Sequence, residues 1–159
     1  MIADTPLLTR RTILTLAASA AVSAATNASA APKPAIRVAK DPNCGCCNGW
    51  VEHLRTNDFT ATVADTKDMQ AVKTRLGVPT ELASCHTAEI AGYVIEGHVP
   101  AQAIKRLLAE KPDARGLAVP GMPIGSPGME GGRPEVYEVI LFGNSAPVGF
   151  GRYLGDKPV

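Results

Sequence analysis

Ile36-Arg37-Val38-Ala39-Lys40-Asp41-Pro42-Asn43-Cys44-Gly45-Cys46-Cys47 decides how this chain is read. Ile36 to Ala39 alternates as a short strand does, and Asp41-Pro42 marks the turn that ends it. Three cysteines within four residues follow, ahead of Trp50, Val51 and Leu54, whose spacing predicts a first helix over Asn48 to Asn57. The cysteines therefore stand at a strand-to-helix junction, where the positive end of a helix dipole stabilises thiolate. Cys44 and Cys47 are in C-x-x-C register. One disulfide needs two thiols, so Cys46 is surplus to a plain redox pair, and surplus thiolate is what soft metals bind.

Working outward, Phe59 to Val63 reads as a second strand, and Asp65-Thr66 as the cap of a helix over Met69 to Leu76, closed by Gly77 and Pro79. Gly92 to Glu96 reads as a third strand. Pro100 opens a third helix, with Ala103, Ile104, Leu107 and Leu108 on one face. Val136 to Phe142 is a strand, and Pro147 to Tyr153 its hairpin partner. The stretch from Gly116 to Pro134 is dense in Gly and Pro and reads as a loop of about nineteen residues. Strand, helix, strand, helix, strand, with the cysteines at the first strand-to-helix junction, is the thioredoxin-like order. The expected fold is α/β, a central mixed sheet flanked by helices, spanning residues 36–155. By analogy with that fold, the segment before the third strand, Ser84-Cys85-His86-Thr87, faces the cysteine turn.

The chain has 159 residues, and its first 30 read as an export leader. Thr9-Arg10-Arg11-Thr12-Ile13-Leu14 has the form of a twin-arginine signal. A mild apolar run from Ile13 to Ala25 follows, then Ala28-Ser29-Ala30 as an A-x-A cleavage site. The run is too short and too weakly apolar for a membrane helix, so no membrane attachment is expected after cleavage. Without Asp4, Arg10 and Arg11 the chain carries 14 basic and 14 acidic residues, which gives no electrostatic case for nucleic acid or an anionic membrane. One Trp, three Phe and three Tyr are too few for base-stacking surfaces. Nucleophile-elbow, Walker, dinucleotide and His-Glu-x-x-His motifs are absent from the sequence.

The candidate chemistry lies in eight residues. Cys44, Cys46 and Cys47 suit Cu(I), because thiolates bridge several such ions and closely spaced cysteines favour a polynuclear site. Cys85-His86 adds one soft and one borderline donor. His98, in Gly97-His98-Val99-Pro100, follows the third strand at the rim of the same region. Met122 and Met129 sit in the Gly/Pro loop, and thioethers bind Cu(I) while hardly binding hard cations. His53 reads as a surface residue of the first helix and Met69 as core. Three readings of the cysteines stand: a soft-metal cluster, a Cys44/Cys47 thiol–disulfide oxidoreductase, or structural disulfides in an oxidising compartment.

Several spaced motifs together resemble a known family, the small periplasmic copper-resistance proteins of the CopG type. They are Cys44-Gly45-Cys46-Cys47 with Trp50, Ser84-Cys85-His86-Thr87, Gly92 through Pro100, Gly116 through Pro123, and Gly125-Ser126-Pro127-Gly128-Met129. The resemblance runs from about Ile36 to Tyr153. It implies a thioredoxin-like fold in the periplasm that binds copper and interconverts Cu(I) and Cu(II), a metal-binding protein more than an enzyme. Its implied ligands are Cys44, Cys46, Cys47 and Cys85, with His86 and His98 as additions and Met122 and Met129 as outer donors. Its implied partners are copper ions and another periplasmic copper protein.

Overall fold

The structure is a computed structural model and describes residues 32–159; the expected leader over residues 1–30 lies outside the described residues. Strand β1 (Ala35–Lys40) buries Ile36, Val38 and Lys40 in alternation, as the period-2 pattern requires. Helix α1 (Gly45–Thr56) then starts three residues earlier than its apolar spacing predicts. The reason is local: the Asn43 N–H donates to Asp41 Oδ1 at 2.8 Å and the Cys44 N–H to the Asp41 carbonyl at 3.1 Å. This side-chain-supported turn brings Cys44 directly to the N-cap.

Strand β2 (Thr60–Asp65) runs parallel to β1. Helix α2 (Met69–Leu76) has the expected span, but its cap is Asp68, not Asp65-Thr66: the Ala71 N–H donates to Asp68 Oδ1 at 2.9 Å. Met69 is half-buried and belongs to neither core cluster. A strand absent from the sequence reading follows, β3 (His86–Ile90), antiparallel to β1 and hairpinned to β4 (Tyr93–Glu96). Helix α3 (Ala101–Glu110) comes next, then a second unforeseen strand, β5 (Gly116–Ala118), which shortens the expected Gly/Pro loop. Strands β6 (Val136–Phe142), β7 (Val148–Leu154) and β8 (Lys157–Pro158) complete one sheet in the order β2-β1-β3-β4-β5-β6-β7-β8. The β1–β2 and β4–β5 pairs are parallel and the rest antiparallel, so the sheet is mixed as expected.

Val94 and Ile95 are neighbours in β4 yet fall in different core clusters, so the clusters occupy opposite faces of the sheet. One face packs Trp50, Val51 and Leu54 of α1 with Ile104 and Leu107 of α3. The other packs Leu76 of α2 against Val94, Ala118 and Phe142. Helices on both faces of a mixed sheet complete the thioredoxin-like architecture. Among the described residues no helix is long and apolar enough to cross a membrane.

Two buried polar arrangements set the positions of these elements. His53 is not a free surface residue: the Ala101 N–H, at the start of α3, donates to its Nε2 at 3.0 Å, so α1 supplies the cap of α3. Glu96 is fully buried and its carboxylate accepts from Lys73 Nζ at 2.5 Å, from the Ser84 N–H at 2.6 Å and from the Thr87 hydroxyl at 2.7 Å. That carboxylate therefore ties α2 and the segment before β3 to β3 and β4.

Lys73→Met leaves Glu96 buried without its cation and is expected to cost about 3–5 kcal/mol in urea unfolding. Lys73→Met combined with Glu96→Gln should recover most of that loss, since the amide oxygen can still accept from the Ser84 N–H while the amide NH2 donates to the Thr87 hydroxyl oxygen that Lys73 leaves free.

Burial lowers the His53 pKa from its ordinary value of 6.5 by penalising the charged ring, and a ring protonated at Nε2 could not accept from Ala101. The unfolded chain then binds the proton more readily than the native one. The stability from this group is present above pH 6.5 and is lost as pH falls through the lowered native value. His53→Gln should flatten the fall in unfolding free energy measured between about pH 7 and pH 5.

Candidate metal centre

The sheet register brings the candidate donors to one edge. Lys40, the last residue of β1, pairs with His86, the first residue of β3, so Cys85 abuts the turn that carries Cys44. Thr87 pairs with Glu96 at the end of β4, which sets Gly97 and His98 beside the same place, and the Gly97 N–H donates to the His86 carbonyl at 3.0 Å. Ala118 pairs with Glu96 in turn, so the loop carrying Met122 leaves from this edge as well.

Cys44 is the N-cap of α1, and Cys46 and Cys47 lie in its first turn, where backbone N–H groups have no intrahelical acceptor. Cys44 and Cys47 form a disulfide, while Cys46 and Cys85 are free and half-buried. Cys46 Sγ lies 3.4 Å from Cys44 Sγ and 3.8 Å from Cys85 Sγ. Cys47 is fully buried, with Sγ 3.9 Å from the Cys85 carbonyl oxygen. The four sulfurs all lie within 4.8 Å of one another. The two-disulfide reading meets a different arrangement: one disulfide and two thiols.

Cys85, His86 and His98 form a second group of donors within 4.8 Å of one another, and Cys85 belongs to both. Cys85 Sγ is 3.0 Å from His98 Nε2 and 3.5 Å from His86 Nδ1. His98 Nδ1 lies 2.8 Å from the Pro127 carbonyl oxygen, which can only accept, so Nδ1 carries the proton and the Nε2 lone pair faces Cys85. His86 is sandwiched, with its ring 4.2 Å from Trp50 and 4.9 Å from His98, centroid to centroid. Its Nε2 is buried without a hydrogen-bond partner. Burial, with His98 and Lys73 adding to it, holds the His86 pKa well below 6.5, and burial lowers that of His98. Both rings are neutral and keep a lone pair for a metal. Burial, with Cys46 beside it, pushes the Cys85 thiol up to about 12, so Cys85 ionises when a cation takes the place of its proton.

The Gly/Pro loop closes over this group. Gly128 packs so tightly on α1 that a Cβ there would sit 2.5 Å from the Cys46 carbonyl oxygen and 2.6 Å from the Trp50 nitrogen. Its φ of +87° also lies in the left-handed region that favours glycine. A Cβ on Gly49, from the other side, would sit 2.9 Å from the Gly128 Cα. Met129 follows in the chain and is half-buried, whereas Met122 is 53% exposed. Sequence reasoning did not foresee the Pro127 carbonyl behind His98, the Trp50 ring against His86, or the Glu96 carboxylate under Ser84. A backbone carbonyl leaves no sequence signal; Trp50 at helix spacing and Glu96 in an apolar strand were visible as residues but not as partners.

A thioredoxin-like sheet whose cysteine turn carries a third thiol, and meets a Cys-His-His group across it, defines a domain with a cysteine-based cluster capable of metal coordination. Two solved structures are similar to the chain, described as "Copper resistance protein copG- Form 1" and "Copper resistance protein copG- Form 2". Each is 48% identical with a TM-score of 0.72, and the match covers 76% of this chain and 98% of the other. The family described as "Protein of unknown function, DUF411" matches residues 82–129. No curated protein matches. At this identity and coverage, the chain belongs to the CopG copper-resistance family.

Gly128→Ala is expected to destabilise the fold by about 1–3 kcal/mol through this overlap. It should also lift the loop, so that iodoacetamide labels Cys46 faster in the native protein; an unchanged labelling rate would show that the loop does not shield that thiol.

Proposed function

We propose that this protein is a periplasmic copper-binding protein that captures Cu(I) through Cys44, Cys46, Cys47 and Cys85. The observation that carries this reading is the convergence of four sulfurs within 4.8 Å. Cu(I) is soft, accepts two or three thiolates, and shares them between ions, so a compact group of four sulfurs suits a polynuclear site. His86 and His98 supply neutral imidazoles on the Cys85 side. Met122 and Met129 are the proposed outer thioether donors from the loop, and another periplasmic copper protein is the proposed partner for copper exchange. The proposed organisation is a twin-arginine leader over residues 1–30 and a metal-binding domain over residues 36–155.

Cys44 and Cys47 donate well only as thiolates, so their disulfide has to be reduced before they bind. Re-forming the disulfide from the two thiolates releases two electrons, enough to reduce two Cu(II) ions to Cu(I). Copper capture and copper redox conversion thus draw on the same pair. The disulfide favours a second reading, a thiol–disulfide oxidoreductase using Cys44 and Cys47.

Anaerobic Cu(I) titration of the reduced protein, with metal counted per chain by elemental analysis, separates the two. The expected result is more than one tightly held copper per chain, with a lower stoichiometry in Cys46→Ser. No tight binding, with thiols that cycle on a disulfide substrate, would establish the oxidoreductase instead.

A further inference from the structure

The Cys44–Cys47 pair accounts for two of the four cysteines, and the free pair is not scattered. Cys46 and Cys85 are 39 residues apart in sequence, on α1 and at the start of β3, yet their sulfurs are 3.8 Å apart, in van der Waals contact. On the far side of Cys85 stands His98 Nε2 at 3.0 Å, with its lone pair fixed toward the thiol by the Pro127 carbonyl. A half-exposed thiol beside a helix N-terminus, a second thiol touching it, and a base touching the second are the parts of a dithiol redox site.

We infer that Cys46 and Cys85 form a second redox pair, closing to a disulfide that crosslinks α1 to β3 in addition to Cys44–Cys47. The oxidant is a disulfide, R–S–S–R, of a small thiol or of a protein. Cys46 loses its proton to solvent, and its thiolate attacks one sulfur of the oxidant. A Cys46–S–R bond forms, the R–S–S–R bond breaks, and RS⁻ leaves and takes up a proton. Cys85 then attacks Cys46 Sγ while its proton passes to His98 Nε2. The Cys46–Cys85 bond forms and the second RS⁻ departs, receiving the proton from His98. Two thiols are oxidised and one external disulfide becomes two thiols.

Cys46 is the entry thiol because it is a half-buried thiol on the first turn of α1, whereas Cys85 is the thiol that His98 Nε2 touches. Cys85 is the resolving thiol, and His98 serves as its base. The chain then has three redox levels: four thiols, one disulfide as in this structure, and two disulfides. At the last level no thiolate remains for a soft cation. This inference uses the same sulfurs as the copper reading but does not rest on it, since no step involves a metal.

The test is run without metal. Fully reduced protein is treated with excess oxidised glutathione under chelator, quenched with alkylating agent at intervals, and weighed intact; linked peptides are mapped after digestion. The expected result is loss of all four thiols, with Cys44–Cys47 and Cys46–Cys85 as the linked pairs. A Cys44→Ser/Cys47→Ser variant should still lose two thiols, which keeps the test informative if the second disulfide is slow in the parent. His98→Gln should slow the resolving step on the order of a hundredfold, with glutathione accumulating on Cys46 in the interval. Three results would overturn the inference: Cys46 and Cys85 remaining alkylatable at the end point, a permanent glutathione adduct on Cys46, or a Cys44–Cys46 link, for which the 3.4 Å contact also allows. Failure of Cu(I) to bind in the separate titration would leave these results standing, and so distinguishes the two.

Discussion

A single buried carboxylate holds the edge of the sheet on which the site is built. Glu96 has no solvent exposure and is met by a cation from α2, a backbone N–H one residue before Cys85, and a hydroxyl one residue after His86. A charge in such a place is tolerated only when its lone pairs are filled, so the geometry of its donors is closely specified. Those donors flank Cys85 and His86 on both sides. The requirement to satisfy Glu96 thus fixes the backbone that aims Cys85 at the cysteine turn.

The rest of the site follows from sheet register. The last residue of β1 faces the first of β3, and the last residue of β4 faces the second of β3 and the last of β5. Turns leaving these ends have to meet, and the residues they carry are soft or borderline donors. Cys85 stands where the sulfur group and the imidazole group overlap. The buried histidines are held neutral by the apolar packing of α1, with Trp50 lying against His86 and anchored by its own Nε1 donating to the Val99 carbonyl at 2.9 Å. A fold often used to present a pair of thiols here presents a wider set of donors, because α1 begins early enough to place three cysteines on its first turn and cap.

Much of this was legible in the sequence. The β1 turn, the apolar faces of the first and third helices, the span of the second, and the pairing of Val136–Phe142 with the following strand all follow from periodicity and from Pro and Gly placement. The convergence of Cys85 and His86 on the cysteines followed from element order by analogy with the thioredoxin-like fold. Three strands were missed: β8 is only two residues long, and the other two escaped for different reasons. The β3–β4 hairpin turns through Ala91 and Gly92, both with positive φ, where asparagine would ordinarily announce such a turn. Without that signal, His86–Ile90 read as loop. Strand β5 is three residues long and lies in a Gly/Pro-rich stretch, too short for any period to show. The cap of α3 was missed for a related reason: His53 serves a helix 48 residues away, and no local pattern encodes a partner so distant.

The contact between Gly49 and Gly128 reaches beyond the site. A loop rich in glycine and proline is ordinarily where a protease first finds a chain. Here the loop backbone lies flush on a helix, with the Ser126 hydroxyl turned back to the Pro123 carbonyl at 2.7 Å and the Met129 N–H donating to the Ser126 carbonyl at 2.7 Å. To enter a protease cleft this part of the segment would have to peel off α1, parting the Pro127 carbonyl from His98 Nδ1 as it went. Of this loop, Ser126 to Met129 is held back from a protease cleft, while the exposed run from Glu130 to Glu135 stays open to one.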